Sequence, residues 1–104
     1  MTRYSRAEGE LKELLKLYTE KRGGFWSPIP QGTVGSKKGD PDLVICYKGR
    51  FIGCEAKAGT DQHGLQPQRE REIRRAGGIY FICKSVNDLK AVFDSIDEEE
   101  SKTI

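Results

Sequence analysis

Three side chains of this 104-residue chain carry the most chemical information: Asp42, Glu55 and Lys57. They lie on two strand-like runs, DLVICY over 42–47 and RFIGCEAK over 50–57, with Lys48-Gly49 between them. A two-residue turn at that point makes a β-hairpin. Tyr47 then pairs with Arg50, and Asp42 lies directly opposite Glu55. Cross-strand neighbours have Cβ atoms about 5 Å apart, where like charges destabilise. Two carboxylates so placed call for a cation between them. Glu55 and Lys57 are two residues apart on one strand, so both leave it on the same face. Oxygen ligands suit Mg²⁺ or Mn²⁺, which one or two carboxylates hold together with water and phosphate oxygens. Such an ion polarises a phosphoryl oxygen and acidifies a bound water, while Lys57 positions that water or offsets charge in the transition state. The chemistry expected of the patch is metal-assisted hydrolysis of a phosphodiester.

The elements that must position this patch follow from periodicity and punctuation. Leu11, Leu14, Leu15 and Tyr18 recur at helical spacing and predict a helix from about Ser5, a candidate cap, to Lys21, stopped by Gly23-Gly24. The Gly- and Pro-rich stretch 23–41 leaves room for one short strand around Phe25-Trp26, two rings expected in the core. A basic loop with Lys37 and Lys38 follows, where a backbone phosphate could pass. A second helix is expected from Gln66-Pro67 to Gly77-Gly78, then a buried strand over 79–83. Ser85 and Asp88 cap a last helix with Val86, Leu89, Val92, Phe93 and Ile96 on its apolar side. The predicted fold class is α/β, a small central mixed sheet flanked by helices plus a C-terminal helix. Residues 1–96 form the single domain, and the acidic 97–104 stretch is expected to be a disordered tail.

Composition narrows the function classes. Lys and Arg total 18 against 16 Asp and Glu, but from Asp94 onward five acids face Lys102 alone. Residues 1–93 therefore hold 17 basic groups against 11 acidic ones, a balance that permits a polyanionic partner. Mean hydropathy is −0.66, and no apolar run approaches the ~18 residues of a membrane span. The N-terminal MTRYSRAEGELK lacks a signal peptide's apolar run, so a soluble cytoplasmic protein is expected. Cys46, Cys54 and Cys83 show no CxxC spacing and are read as small buried apolar residues, not a disulfide frame or zinc site. The GTVGSKKGD stretch lacks GxxxxGK[ST], and no GxGxxG occurs, so no nucleotide cofactor is expected. His63 stands without a second histidine and is read as solvated or as a substrate contact. Arg69, Arg71, Arg74 and Arg75 crowd one helix; Arg69 and Arg74 are candidate phosphate contacts, and a solvated face interleaved with Glu70 and Glu72 explains them about as well.

The run Gly39-Asp40-Pro41-Asp42-Leu43, then Glu55-Ala56-Lys57, then a Gln shortly before a helix ending in Ala76-Gly77-Gly78, resembles the PD-(D/E)XK nuclease superfamily. The GxPD form and the spacing to Gly-Gly resemble its VRR-NUC domain more narrowly, in the small standalone phage or bacterial form. The resemblance spans roughly residues 5–93. It implies an αβββαβ restriction-endonuclease-like core and a Mg²⁺- or Mn²⁺-dependent DNA endonuclease. Asp42 and Glu55 would be metal ligands with the Ala56 backbone carbonyl, and Lys57 the catalytic lysine. It also implies an acid on the first helix, best matched by Glu8 with Glu10 second, and an active-site Gln, matched by Gln66 with Gln68 as alternative. Glu8 equally completes a Ser5-x-x-Glu8 capping box. Flap or four-way (Holliday) junction DNA and a homodimer are implied in the same way. The rival readings are a catalytically inactive nucleic-acid-binding module of the same fold and a phage accessory protein-interaction domain.

Overall fold

A computed structural model describes residues 3–29, 41–57 and 67–102. The elements run α1 (Arg3–Lys21), β1 (Phe25–Pro28), β2 (Leu43–Tyr47), β3 (Arg50–Ala56), α2 (Pro67–Arg75), β4 (Ile79–Cys83) and α3 (Val86–Lys102). The strands lie in the order β1-β2-β3-β4, with β1–β2 and β2–β3 antiparallel and β3–β4 parallel. The chain thus has the mixed α/β core that its sequence predicts, with the parallel step made through α2.

The hairpin register is Tyr47↔Arg50 through Leu43↔Cys54. Lys48 and Gly49 both adopt positive φ, 49° and 81°, the pair of left-handed residues a two-residue type I′ turn requires. Both glycine pairs end helices in one way. Gly23 (φ 83°) and Gly77 (φ 94°) are left-handed, and Gly24 N donates to Thr19 O while Gly78 N donates to Ile73 O, each at 2.9 Å. These are Schellman closures, which satisfy the carbonyls left open at a helix end.

Period-2 alternation divides the sheet faces. Leu43, Ile45, Tyr47, Ile52, Cys54 and Ala56 point to the core, where Leu11 and Leu15 of α1 and Leu89, Phe93 and Ile96 of α3 cover them. The apolar stripe of α1 is narrower than its sequence suggests, because Leu14 is 53% exposed while Thr19 is buried in its stead. Thr19 Oγ1 satisfies itself on Leu15 O at 2.8 Å. On the other face α2 covers the β3–β4 half. Phe25, Cys46 and Phe51, which align across β1, β2 and β3, remain exposed there. Phe25 at 67% exposure and the exposed Cys46 correct the expectation that both are buried. Trp26 packs at the core edge and donates from Nε1 to Glu20 Oε2 at 2.8 Å.

The ends of the chain also differ from expectation. Helix α1 starts at Arg3, which puts Ser5 inside its first turn and not at a cap. The tail expected to be disordered from 97 is instead helical to Lys102. Its carboxylates meet cations supplied by distant parts of the chain. Asp97 Oδ1 accepts from Tyr47 OH at 2.8 Å and pairs with Lys48 Nζ at 2.7 Å, while Oδ2 accepts from Arg22 at 2.9 Å. Glu99 pairs with Arg50 at 2.7 Å. Lys48 first, then Tyr47 and Arg22, hold the Asp97 carboxyl below its usual range. Among the described residues no helix is long and apolar enough to cross a membrane.

Candidate active site

The end of the hairpin away from its turn brings the predicted carboxylates together. Asp42 immediately precedes β2, and its carbonyl accepts from Ile29 N at 3.1 Å, which continues the β1–β2 ladder. Its side chain bends toward β3, where Oδ2 accepts the Ala56 backbone N–H at 3.0 Å. Glu55 is 8% exposed, and its Oε2 accepts from the Tyr80 hydroxyl at 2.5 Å. The two carboxylates are therefore built alike, with one oxygen of each fixed by a neutral donor. The other oxygen has an ammonium 3.9 Å away: Lys12 Nζ from Asp42 Oδ1, and Lys57 Nζ from Glu55 Oε1. That separation is within ion-pair range but too long for a hydrogen bond.

Helix α1 supplies a third carboxylate. Glu8 is half-buried, and its Oε2 is buried without a hydrogen-bond partner among the described residues. Glu10 is exposed, so of the two candidates only Glu8 turns inward. Buried polar atoms are rarely left unsatisfied without a functional cause or a missing ion or water. The Glu55 carboxyl is raised above its ordinary range, chiefly by burial and further by the charges of Asp42 and Glu8, against the pull of Tyr80 and Lys57. The same burial, with Glu55 beside it, pushes the Tyr80 hydroxyl well up, so it stays protonated and donates. Local negative charge is thus in excess and partly desolvated, which is the condition a cation relieves.

The donor set fits a hard divalent ion. Among the described residues no group of three His, Cys, Asp or Glu side chains is placed to chelate an ion unaided. Mg²⁺ asks for less, since it keeps several waters and takes one or two carboxylates. Asp42 and Glu55 meet that need, and Glu8 suits contact through water.

The other candidates divide. Lys57 stands beside Glu55 as expected. Arg69 pairs with Glu72 and Arg74 with Glu70 along α2, the solvated-face arrangement. Gln68 is exposed on the first turn of α2. Gln66, Lys37, Lys38 and His63 lie outside the described residues. Two contributors escape the sequence reading. Lys12 sits one helical turn after Glu8, a spacing that signals a shared face. Tyr80 lies 25 residues from its partner, and no local pattern links them.

One solved structure described as a VRR_NUC domain superimposes on this chain with a TM-score of 0.66 at 22% identity, covering 85% of this chain and 95% of that one. The chain has the VRR_NUC domain fold. No sequence-family model matches it, and no curated protein matches it. At this identity the likeness is one of architecture. In this VRR_NUC fold the carboxylates stand where β2 opens and β3 closes, at one end of the sheet.

The raised Glu55 carboxyl has a consequence for stability. Below the ordinary carboxylate range, about pH 4, the group is protonated both folded and unfolded. As pH rises through its elevated folded value, ionisation into a desolvated site costs folding stability. Glu55→Gln is therefore expected to melt higher than wild type at pH 7, with the gap closing as pH falls below about 4. Thermal unfolding across that range checks this, and a less stable variant at pH 7 would contradict it.

Proposed function

We propose that this chain is a divalent-metal-dependent DNA endonuclease that hydrolyses phosphodiester bonds. The observation that carries the reading is the matched pair of carboxylates. Asp42 and Glu55 each spend one oxygen on a neutral donor and turn the other toward a lysine. A surface ion pair would not need the third, unsatisfied Glu8 oxygen. Asp42 Oδ1 and Glu55 Oε1 would hold Mg²⁺ or Mn²⁺, with the Ala56 carbonyl beside them and Glu8 acting through water. When bound, the ion polarises the scissile phosphoryl group and supplies an acidified water.

The remaining work falls to this chain's own side chains. Lys57 keeps an ammonium beside Glu55, where it orients the attacking water and offsets the negative charge that grows on the phosphoryl oxygens. Lys12, whose Nζ lies 3.9 Å from Asp42 Oδ1, offers a second cation to the same or a neighbouring phosphate. Residues 1–93 hold the basic excess that attracts a polyanionic backbone, and Lys37, Lys38, Arg69 and Arg74 are its candidate contacts. By likeness to the standalone VRR-NUC form, branched DNA such as flaps or four-way junctions is the proposed substrate class.

Labelled duplex, flap and four-way-junction DNA with Mg²⁺ or Mn²⁺ tests the activity. Wild type is expected to cut at least one substrate, EDTA to abolish cutting, and Lys57→Ala to lower the rate by about 10²-fold or more. Folded wild type that binds DNA without metal and cuts nothing would instead support a binding module.

Symmetric cutting of a junction needs two sites, and the described residues hold one such carboxylate pair, so a homodimer accompanies the junction reading. The exposed row of Phe25, Cys46 and Phe51 is an apolar face available for such an association. Sedimentation at micromolar concentration is expected to give a dimer; a monomer would remove junction resolution while leaving flap cleavage open.

A further inference from the structure

We infer that Tyr80 is a positioning residue for Glu55, fixing Oε2 so that Oε1 alone is presented to the cation and to Lys57. The inference rests on the metal-dependent reading above and adds a residue to it.

The geometry begins with a glycine. Across the parallel β3–β4 pair Tyr80 is registered with Gly53, two residues before Glu55 on the same face of β3. A Cβ at Gly53 would meet Pro41 Cγ at 3.2 Å, Ile73 Cδ1 at 3.3 Å and Tyr80 Cδ2 at 3.4 Å. The bare backbone therefore lets the Tyr80 ring lie along β3 under Pro41 and Ile73. Two residues of strand advance about 6.6 Å, a span the tyrosine ring covers, so its hydroxyl ends at the Glu55 carboxylate. Tyr80 is 2% exposed.

A hydroxyl was not required there to fill space. Phenylalanine would pack the same cavity, and without the hydroxyl Glu55 would be an even more weakly solvated carboxylate. What the hydroxyl adds is orientation. With Oε2 engaged by Tyr80 at 2.5 Å, the carboxylate plane is fixed and Oε1 is left facing Lys57 Nζ at 3.9 Å. Asp42 is held in the same manner by the Ala56 amide. Two carboxylates with one preset oxygen each form a narrower cation site than two freely rotating ones. Partners that orient metal ligands in this way typically govern about 10–100-fold in metal affinity or activity.

The test is Mn²⁺ binding followed by the EPR signal of the free ion, on wild type, Tyr80→Phe, Glu55→Gln and the Tyr80→Phe/Glu55→Gln pair. Tyr80→Phe is expected to weaken Mn²⁺ binding by about 10–100-fold and to lower kcat for cleavage with KM for DNA unchanged. In the Glu55→Gln background it should change Mn²⁺ affinity no further, because the side chain it orients is already lost. Unchanged affinity in folded Tyr80→Phe would overturn the inference while leaving the metal reading intact. An equal loss in the Glu55→Gln background would also overturn it. Wild type with no Mn²⁺ affinity would sink both together. Should Tyr80→Phe fail to fold, Gly53→Ala, which crowds the ring but keeps the hydroxyl, carries the same expectation of weakened Mn²⁺ binding.

Discussion

The pairing of β2 with β3 in the register Tyr47↔Arg50 is the constraint on which the site depends. Side chains alternate faces with period two, so a slip of one residue would carry Glu55 to the core face and expel Cys54 and Ala56 from it. Nothing in the chemistry of the carboxylates could recover from that. The register is held at one end by the Lys48-Gly49 turn, whose positive φ angles suit the twist of a two-residue hairpin. At the other end Asp42 reaches across to the Ala56 amide. The hydrogen bond that orients the Asp42 carboxylate thus also closes the open end of the hairpin, and fold and candidate site share an interaction there.

A second tension runs between charge and burial. Glu55 is nearly enclosed, with Asp42 and Glu8 near enough to raise its carboxyl and one Glu8 oxygen left unsatisfied. A fold selected for stability alone would relieve this crowding with a neutral residue. Retaining it accords with the proposed metal site, because a bound cation would offset this local destabilisation. The rest of the molecule compensates at a distance. Tyr47 stacks on Phe93 at 4.1 Å, Tyr18 lies 5.8 Å from the same ring, and Arg22 covers the three while bonding Asp94 and Asp97. This cluster joins α1, the hairpin and α3 at the end of β2 opposite the carboxylates.

Much of the site was legible because its residues are close in sequence. The hairpin, its turn and the two-residue spacing of Glu55 and Lys57 translate directly into faces and distances. Glycine pairs at 23–24 and 77–78 marked helix ends for a local reason, the left-handed residue a Schellman closure needs. Features set by distant partners were not legible. Tyr80 meets Glu55 only because a parallel crossover aligns it with Gly53, and crossover register leaves no local trace. The acidic end of α3 reads as solvated tail until Arg22, Lys48 and Arg50 arrive from elsewhere in the chain to neutralise it. Leu14 and Phe25 show the reverse error, apolar residues on the right periodicity whose face finds no cover among the described residues.

The central claim is that Asp42 and Glu55 are arranged around a place for one divalent cation. A manganese anomalous-difference map from crystals soaked in Mn²⁺ tests it most directly. The account predicts a peak bonded to Asp42 Oδ1 and Glu55 Oε1, at a separation close to the roughly 2.0–2.1 Å of Mg²⁺ with oxygen ligands, while Tyr80 and the Ala56 amide still hold the other two oxygens. A well-diffracting crystal with no peak between the two carboxylates, or with manganese bound only elsewhere, would contradict it.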